Sequence, residues 1–246
     1  MKLLHNFLQL IWRIWFASIV FFGLVVFFPF LWILLLNKKW YGHFHLLCKT
    51  WSRFILFCSG FRLEVEYEEP LDPNKAYIIC PNHVSYIDIP LTFAIMPGVF
   101  VFVGKKSLSK IPVFGWVYKK TMILVDRSSN RSSYKAYKHA SDRIENGIGI
   151  AIYPEGGIPE VDTRLHRFKS GAFRLALEQQ VDLVPITFLD NKKRFPCGYF
   201  GGSPGKLRVC VHKPIASKSY SVEHIKEFKK DVYNIINKKL TDYESR

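Results

Sequence analysis

The residues best suited to chemistry in this sequence are a histidine and an aspartate five positions apart, His83 and Asp88. An imidazole held by a carboxylate at one ring nitrogen can accept a proton at the other, as a general base must. On one helix, five positions rotate a side chain by roughly 140°, so the two cannot share a helical face. We therefore expect His83 in a turn and Asp88 in the first turn of a helix, after a strand that Pro81 ends.

The elements that must position this pair follow from the hydrophobic pattern beyond residue 62. Strands are expected at 63–67 and in six apolar runs, 76–80, 99–103, 122–125, 148–153, 183–188 and 207–211. Helices are expected around 87–96, 131–146, 169–180 and 222–240. This interleaving predicts an α/β fold, a single domain over 62–246 with a mixed, largely parallel sheet flanked by helices. Such sheets gather their ligands at strand ends.

The first 61 residues are hydrophobic, and we predict that they form membrane-anchoring helices ahead of that domain. Residues 14–36 carry no charge, and a helix of that length extends about 34 Å, just over the ~30 Å of a bilayer's hydrocarbon core. Pro29 is a candidate kink. Residues 40–61 resemble an interfacial helix with Lys49 and Arg53 at headgroup level. Two arrangements stay open, one span plus a surface helix or a two-helix hairpin in a single leaflet.

The charge balance points to anionic partners, because 35 basic residues face 20 acidic ones and the net charge is +15. Seven basic residues and no acidic ones lie within residues 1–62, which favours a membrane surface over nucleic acid. The five cysteines form no C-x-x-C pair. This pattern argues against a disulfide framework and against a zinc site. It predicts a reducing, cytosol-facing location.

Several other polar residues are interpreted without a chemical role. Residues 201–205 match the G-x-S-x-G hydrolase pattern, but Pro204 lacks the N–H that such a site needs, so we expect a turn. Residues 191–194 are expected to be a solvated loop. The remaining histidines show no ligand spacing and are expected at the surface or the interface: His43, His45, His139, His166, His212 and His224.

Four motifs occur in a fixed order, N-H-x4-D at 82–88, V-D-R at 125–127, Y-P-E-G-G at 153–157 and V-P-I at 184–186. Together they resemble the glycerolipid acyltransferase family, whose type member is 1-acylglycerol-3-phosphate acyltransferase (lysophosphatidate acyltransferase). The likeness covers roughly residues 62 to 215 and includes a hydrophobic segment ahead of the first motif. The ordered set is far more specific than any single motif.

The resemblance implies a membrane-associated acyltransferase of phospholipid biosynthesis. It would move a fatty acyl group from a thioester, acyl-CoA or acyl carrier protein, to a lyso-lipid hydroxyl, most simply 1-acylglycerol-3-phosphate giving phosphatidate. His83 would be the base and Asp88 its orienting partner. Membrane lipids are expected partners, nucleic acid is not, and neither a cofactor nor a metal is expected because a thioester is already activated. The location implied is the inner, cytoplasmic membrane, with the catalytic domain facing the cytoplasm.

Substrate binding is expected at strand ends and turns that match the motifs. The residues are Asn82, Lys105, Arg127, Glu155, Gly156, Gly157 and Lys169. Backbone amides near His83 or around Gly156 are the expected donors to the tetrahedral oxyanion, and the sequence does not choose between them.

One position departs from the family, because Gly157-Ile158 stands where Thr-Arg is usual. That arginine is credited with holding the acceptor's phosphate, so the departure leaves open another lyso-lipid acceptor, such as a lyso-aminolipid. Arg127, Lys105, Arg164 or Lys169 are the expected substitutes, with a backbone nest at Gly156 adding N–H donors. The alternative of another class is a non-catalytic, basic, membrane-peripheral protein that binds anionic lipid.

Overall fold

A seven-stranded sheet organises the chain in the computed structural model, which describes residues 2–111, 114–126, 128–160, 163–198 and 201–245. The strands lie in the order β1-β7-β6-β2-β5-β3-β4. They are β1 (Phe61–Tyr67), β2 (Ile78–Pro81), β3 (Phe100–Lys105), β4 (Ile123–Val125), β5 (Gly149–Ala151), β6 (Leu183–Phe188) and β7 (Gly205–Val211). β1 overlaps the alternating segment predicted at 63–67, and each of the other six overlaps one predicted apolar run, because short β-branched and aromatic segments between turn residues form buried strands.

The sheet is mixed, as predicted, and its direction changes at one place. β6, β2, β5, β3 and β4 are mutually parallel, whereas β7 runs antiparallel to β6 and parallel to β1. The carboxyl ends of five strands therefore meet at one edge of the sheet, where the predicted site residues follow them. The carboxyl ends of β1 and β7 lie at the opposite edge.

Helices cover both faces of this sheet. They are α1 (Lys2–Leu34), α2 (Tyr41–Cys58), α3 (Asp88–Ile95), α4 (Phe114–Thr121), α5 (Asn130–Glu145), α6 (Gly171–Gln179), α7 (Asn191–Arg194) and α8 (Ile225–Glu244). The four helices predicted beyond residue 62 are α3, α5, α6 and α8. The sequence missed α4 and α7, because eight and four residues are too short for a helical period to emerge.

Two apolar cores lie on either side of the sheet. One packs α2 and α3 against it through fully buried side chains such as Leu56 and Leu91, and the other packs α5, α6 and α8 through Phe173 and Phe228. Each such side chain contributes about 2 kcal/mol by leaving water. Since α2 shares a core with the sheet, it is an integral layer of the fold as well as part of the N-terminal region.

α1 and α2 form an antiparallel hairpin. The indole N–H groups of Trp12 and Trp15 donate to the carbonyls of Ser59 and Cys58 at the far end of α2. Gly23 leaves room for the Trp51 indole, against which a β-carbon at position 23 would collide. α1 is long and apolar enough to cross a membrane by length and composition, and 17% of its most apolar stretch is buried. Its outer face therefore requires an apolar cover.

The basic side chains of α2 bind inward. Lys49 Nζ donates to the Met96 carbonyl at 2.9 Å, and Arg53 Nε donates to the Ala94 carbonyl at 3.2 Å. These carbonyls end α3, where cations are favoured by the helix dipole. In the structure one donor of each side chain attaches α2 to α3, and Arg53 is still an exposed residue, so the expected contact of these cations with lipid headgroups stays a prediction.

Candidate active site

The His83 and Asp88 side chains meet at the strand edge. His83 Nδ1 lies 2.8 Å from Asp88 Oδ2. His83 occupies the turn after β2, and Asp88 is the first residue of α3, which is the bend that the sequence predicted. The His83 side chain is 15% exposed and lines a cavity, whereas that of Asp88 is fully buried. With Nδ1 bonded to the carboxylate, Nε2 is the nitrogen available to a substrate.

Three more N–H groups hold the Asp88 carboxylate. The backbone N–H groups of Val84 and Ser85 donate to Oδ2 at 2.7 and 2.8 Å. Asn191 Nδ2 donates to Oδ1 at 2.7 Å from the start of α7. The carboxylate is thus fixed by donors on both oxygens, and it fixes the imidazole ring in turn.

An aromatic ring covers one face of the imidazole. Tyr153 stacks on His83 with ring centroids 4.0 Å apart and an interplanar angle of 19°. Its hydroxyl lies 3.2 Å from Thr92 Oγ1. Burial, assisted by the negative charge of Asp88, raises the pKa of Tyr153 well above its ordinary value. Tyr153 is therefore a neutral phenol that restrains the orientation of the His83 ring.

Glu155 is buried and is not among the residues that line the cavity beside His83, which corrects its predicted role in substrate binding. Its Oε1 accepts the backbone N–H of His83 at 2.7 Å, and its Oε2 accepts that of His166 at 2.8 Å. Burial raises the pKa of the carboxyl, and the two backbone hydrogen bonds oppose that rise. Because both oxygens are used, Glu155 positions the His83 turn.

Asn82 is likewise a positioning residue, against the prediction that it binds substrate. Its side chain is fully buried. Oδ1 accepts the Phe188 N–H at 2.7 Å, and Nδ2 donates to the Phe188 carbonyl at 3.2 Å. This two-bond pairing ties the end of β2 to the end of β6 just before His83.

A cavity of about 820 Å³ extends from His83 between the sheet, α5 and α6. Its lining is mainly apolar and includes Phe102, Val103, Ala136, Ala140, Ile152 and Leu175. Four of the predicted substrate-binding residues also line it: Lys105, Gly156, Gly157 and Lys169. An apolar channel with two cations beside an imidazole is suited to a ligand that is part hydrocarbon and part anion.

Gly156 is required by the turn that brings Lys169 to this cavity. Its φ is +81°, and a β-carbon there would stand 2.7 Å from Lys169 Nζ. The Gly156 N–H donates to the Tyr153 carbonyl at 3.1 Å. The amides of His83, Val84 and Ser85 also have acceptors within the protein, and the oxyanion donors around Gly156 stay a prediction.

Neither of the two predicted arginines, Arg127 and Arg164, is among the residues that line the cavity in the described part of the chain. Arg127 lies outside the described residues. Arg164 donates to Glu244 Oε2 at 3.2 Å and to Asn237 Oδ1 at 2.9 Å. It therefore attaches the loop before α6 to α8 and is no substitute for the missing Thr-Arg arginine. Lys105 and Lys169 are the predicted cations that the structure places at the cavity.

The loop after α7 connects the turn that holds His83 to α1. Ser85 Oγ donates to the Phe195 carbonyl at 2.5 Å. On the other side of this loop, Arg13 donates to the carbonyls of Pro196 and Gly201 at 2.6 and 3.0 Å, and its guanidinium lies over the Phe195 ring. Arg13 is thus bound to protein.

Comparison with known proteins decides the family. A family model described as Acyltransferase matches residues 62–189, which contain His83, Asp88, Tyr153 and Glu155; Asn191 lies two residues beyond the match. The chain belongs to the Acyltransferase family. The matched part runs from β1 to just past β6 and includes all four motifs.

Similar proteins carry a consistent name. The chloroplastic 1-acyl-sn-glycerol-3-phosphate acyltransferase LPAT1 of Arabidopsis thaliana is 31% identical over 176 residues, 70% of this acyltransferase-family chain and 48% of the relative. The 1-acyl-sn-glycerol-3-phosphate acyltransferase of Haemophilus influenzae is 25% identical over 189 residues, 75% and 77% of the two chains. The chain spans about half the length of the first curated relatives it matches.

The fold is shared with a solved structure. The crystal structure of the 1-acyl-sn-glycerophosphate (LPA) acyltransferase PlsC from Thermotoga maritima superposes with a TM-score of 0.78. The match covers 100% of this acyltransferase-family chain and 99% of the other, at 23% identity. At that identity the likeness shows the fold, including the N-terminal helices.

Sequence reasoning missed one residue of this acyltransferase-family site and misjudged its segment. Asn191 begins α7, is fully buried and holds Asp88, although residues 191–194 were expected to be a solvated loop. The three basic residues that follow Asn191 made the whole segment resemble a solvated loop. The one available signal was its position three residues after β6, at the strand edge where ligands gather.

Proposed function

We propose that the protein transfers a fatty acyl group from a thioester donor, acyl-CoA or acyl carrier protein, to the free hydroxyl of 1-acylglycerol-3-phosphate, giving phosphatidate. The observation that carries the proposal is the His83–Asp88 pair, joined at 2.8 Å, at the mouth of the apolar cavity. The names of the similar proteins supply the substrate class. This reaction is a step of phospholipid biosynthesis.

The chemistry needs one proton acceptor and no covalent acyl-enzyme. His83 Nε2 takes the proton of the acceptor hydroxyl as its oxygen bonds to the thioester carbon. The C–S bond then breaks, and the proton on His83 passes to the departing thiolate. Asp88 holds Nδ1–H and stabilises the imidazolium between the two transfers. The acyl chain lies along the apolar lining during both.

Lys105 and Lys169 are the side chains proposed to bind the anionic head of the acceptor. Both line the cavity that His83 opens onto. Lysine ammonium groups bind phosphate as point charges, without the planar two-bond geometry of arginine. Gly157-Ile158 in place of Thr-Arg favours a second candidate acceptor, a lyso-lipid with another headgroup.

The proposed location is the cytoplasmic membrane, with the α/β domain on the cytoplasmic side. Two observations favour a hairpin within one leaflet over a spanning α1. Arg13, in the N-terminal third of α1, bonds the loop after α7, and Trp32 near the other end stacks on Trp116 of α4, with centroids 4.3 Å apart. These two contacts are about 28 Å apart along the helix, nearly the thickness of a bilayer's hydrocarbon core, and a helix that leaves through the far leaflet cannot touch the same domain at both.

The test measures lipid products from a pool of lyso-lipids with each thioester donor offered separately. Wild-type protein is expected to form phosphatidate, identified by mass spectrometry. His83→Ala should lower the rate about 10²–10⁴-fold, the usual contribution of a general base. His139→Ala, which removes an exposed histidine of α5, is the matched control and should retain full activity.

Each result has a defined meaning. Full activity in folded His83→Ala would remove the proposed base and with it this mechanism. A product formed from another lyso-lipid, with none from 1-acylglycerol-3-phosphate, would replace the acceptor and keep the mechanism. No product from any acceptor and donor would contradict the proposed activity.

A further inference from the structure

A second cluster of reactive side chains lies at the other edge of the sheet from His83. Glu68 follows β1, while Cys210 and His212 alternate at the end of the neighbouring parallel strand β7. Cys210 and His212 are buried, and Glu68 is partly exposed. Alternation by two places the cysteine and histidine side chains on the same face of the sheet.

The three possible ligand atoms form a compact triangle. Glu68 Oε1 lies 2.8 Å from His212 Nδ1 and 3.6 Å from Cys210 Sγ, and Cys210 Sγ lies 3.6 Å from His212 Nδ1. Tetrahedral zinc with its usual bond lengths separates sulfur from nitrogen or oxygen by about 3.5 Å, and nitrogen from oxygen by about 3.3 Å. Two sides of the triangle therefore fit already, and the third requires a shift of the exposed Glu68 carboxylate by about half an ångström.

Neighbouring groups hold the ligands as outer partners do in metal sites. The buried Thr187 Oγ1 lies 2.8 Å from His212 Nε2, on the side of the ring away from the triangle. The Lys213 N–H donates to Glu68 Oε2 at 3.1 Å, which leaves Oε1 for the metal. Such contacts fix the orientation of ligating rings and carboxylates. The Lys239 ammonium is paired with Glu66 at 2.7 Å and also hydrogen-bonds Cys210, a contact that favours the thiolate form that a metal needs.

We infer that Glu68, Cys210 and His212 bind one Zn²⁺ ion, with a water molecule as the fourth ligand. Thiolate, imidazole and carboxylate select zinc over magnesium or calcium. Binding releases the Cys210 thiol proton to solvent, and the two anionic ligands then balance the metal's charge. The ion would join the edge strand β1 to β7, so its role is structural and it takes no part in the proposed acyl transfer.

The sequence analysis expected no zinc site, because it searched for cysteine pairs. These ligands come from two strands that are 142 residues apart in the chain, and C-x-H is too common a pattern to indicate a metal by itself. Only the pairing of β1 with β7 brings the third ligand to the other two.

The experiment uses the full chain, purified in detergent and stripped of metal with a chelator. Wild-type protein is expected to bind one Co²⁺ per chain with a near-ultraviolet thiolate-to-cobalt band, and Zn²⁺ should displace the cobalt and abolish the band. Cys210→Ser should lose the band. The matched control Cys58→Ser, which removes a cysteine at the end of α2, should keep it.

Two milder variants keep the test decisive if Cys210→Ser does not fold. Glu68→Gln retains a hydrogen-bond acceptor at a partly exposed position and should weaken Zn²⁺ binding at least tenfold. Thr187→Val removes the outer partner of His212 and should weaken it about 10–100-fold. Acyl transfer by folded Glu68→Gln should match wild type, which separates this inference from the proposed function. Absence of a thiolate band in wild type, or unchanged binding in Glu68→Gln, would overturn the inference.

Discussion

At the scale of single residues, the His83–Asp88 pair depends on an asparagine from a distant part of the chain. Asn191 Nδ2 is the donor to Asp88 Oδ1, and it is fully buried at the start of α7. Without it, Oδ1 loses its hydrogen bond in a place that water does not reach. A buried acceptor left unpaired costs about 1–3 kcal/mol, so the carboxylate is expected to turn away from the His83 ring.

We expect Asn191→Ala to lower kcat about tenfold or more with little change in KM, because substrate contacts are untouched while the His83 ring loses its fixed orientation. Steady-state acyl-transfer kinetics measure both constants. Lys193→Ala is the matched control, since Lys193 is exposed in the same short helix and should leave both constants unchanged. Equal kinetics for the two variants would show that Asn191 has no positioning role.

The sequence predicted the His83–Asp88 contact but assigned Asn82 and Glu155 to substrate binding. The contact was predictable because spacing, Pro81 and the strand-to-helix change all act within a few residues. The roles of Asn82 and Glu155 were not, because their partners are backbone groups of Phe188, His83 and His166, set by the order of strands in the sheet. A motif shows which polar residues are near the site, without showing whether they point into it.

At the scale of elements, α2 contains a histidine that makes its packing sensitive to pH. His45 is 3% exposed, and its ring lies between Phe93 and Phe100 with centroids 5.3 and 4.7 Å away. Burial, assisted by the nearby charge of Lys49, lowers the pKa of His45 from 6.5 to about 4. Between those values the unfolded chain binds a proton that the folded chain does not.

Stability should therefore be complete above pH 6.5 and fall as the pH drops toward 4, by up to about 3 kcal/mol over the whole interval. His45→Phe, which keeps a ring in this aromatic cluster, should flatten that part of the dependence. Thermal unfolding midpoints in detergent from pH 7 to about pH 4.5 measure it. His139→Ala should follow wild type, and parallel curves for wild type and His45→Phe would contradict the assignment.

Most helices and strands could be predicted from the local hydrophobic pattern, but the direction in which α2 faces could not. All seven strands coincide with predicted runs, and α3, α5, α6 and α8 with predicted helices. The residues of α2 were expected to face lipid, yet His45 and its buried neighbours face the sheet. Lipid-facing and core-facing helices are equally apolar, so composition does not distinguish them. The packing of α3 and β3 against α2 is what makes α2 a core-facing helix.

At the scale of the whole molecule, the outer face of the hairpin is a continuous apolar surface. Its most exposed members include Leu3, Leu4, Phe7, Ile14, Phe21, Phe22, Val25, Phe30 and Leu36, with Phe57 on α2. A patch of this size needs a lipid or protein cover. The long apolar helix was predictable from hydropathy; the choice between a span and a hairpin was not, because it depends on contacts of α1 with the α/β domain.

In sealed vesicles, cysteines introduced at both ends of α1 should react with a membrane-impermeant thiol reagent from the same side as the catalytic domain. His5→Cys and Asn37→Cys, which replace exposed polar residues near the two ends of α1, are the test variants, each in a chain whose native cysteines are replaced. Glu223→Cys marks the exposed surface of the domain. Labelling of the two ends from opposite sides would establish that α1 spans the bilayer.

The bond between Ser85 and the Phe195 carbonyl has a mechanical consequence. The loop after α7 is held on one side by Ser85, in the turn that contains His83, and on the other by Arg13 of α1. A tilt of α1 would displace this loop, and the displacement would reach Ser85, two residues from His83. We therefore expect the rate of acyl transfer to depend on how tightly α1 is held by the surrounding lipid. A detergent that weakens this contact should slow catalysis although it touches none of the reacting atoms.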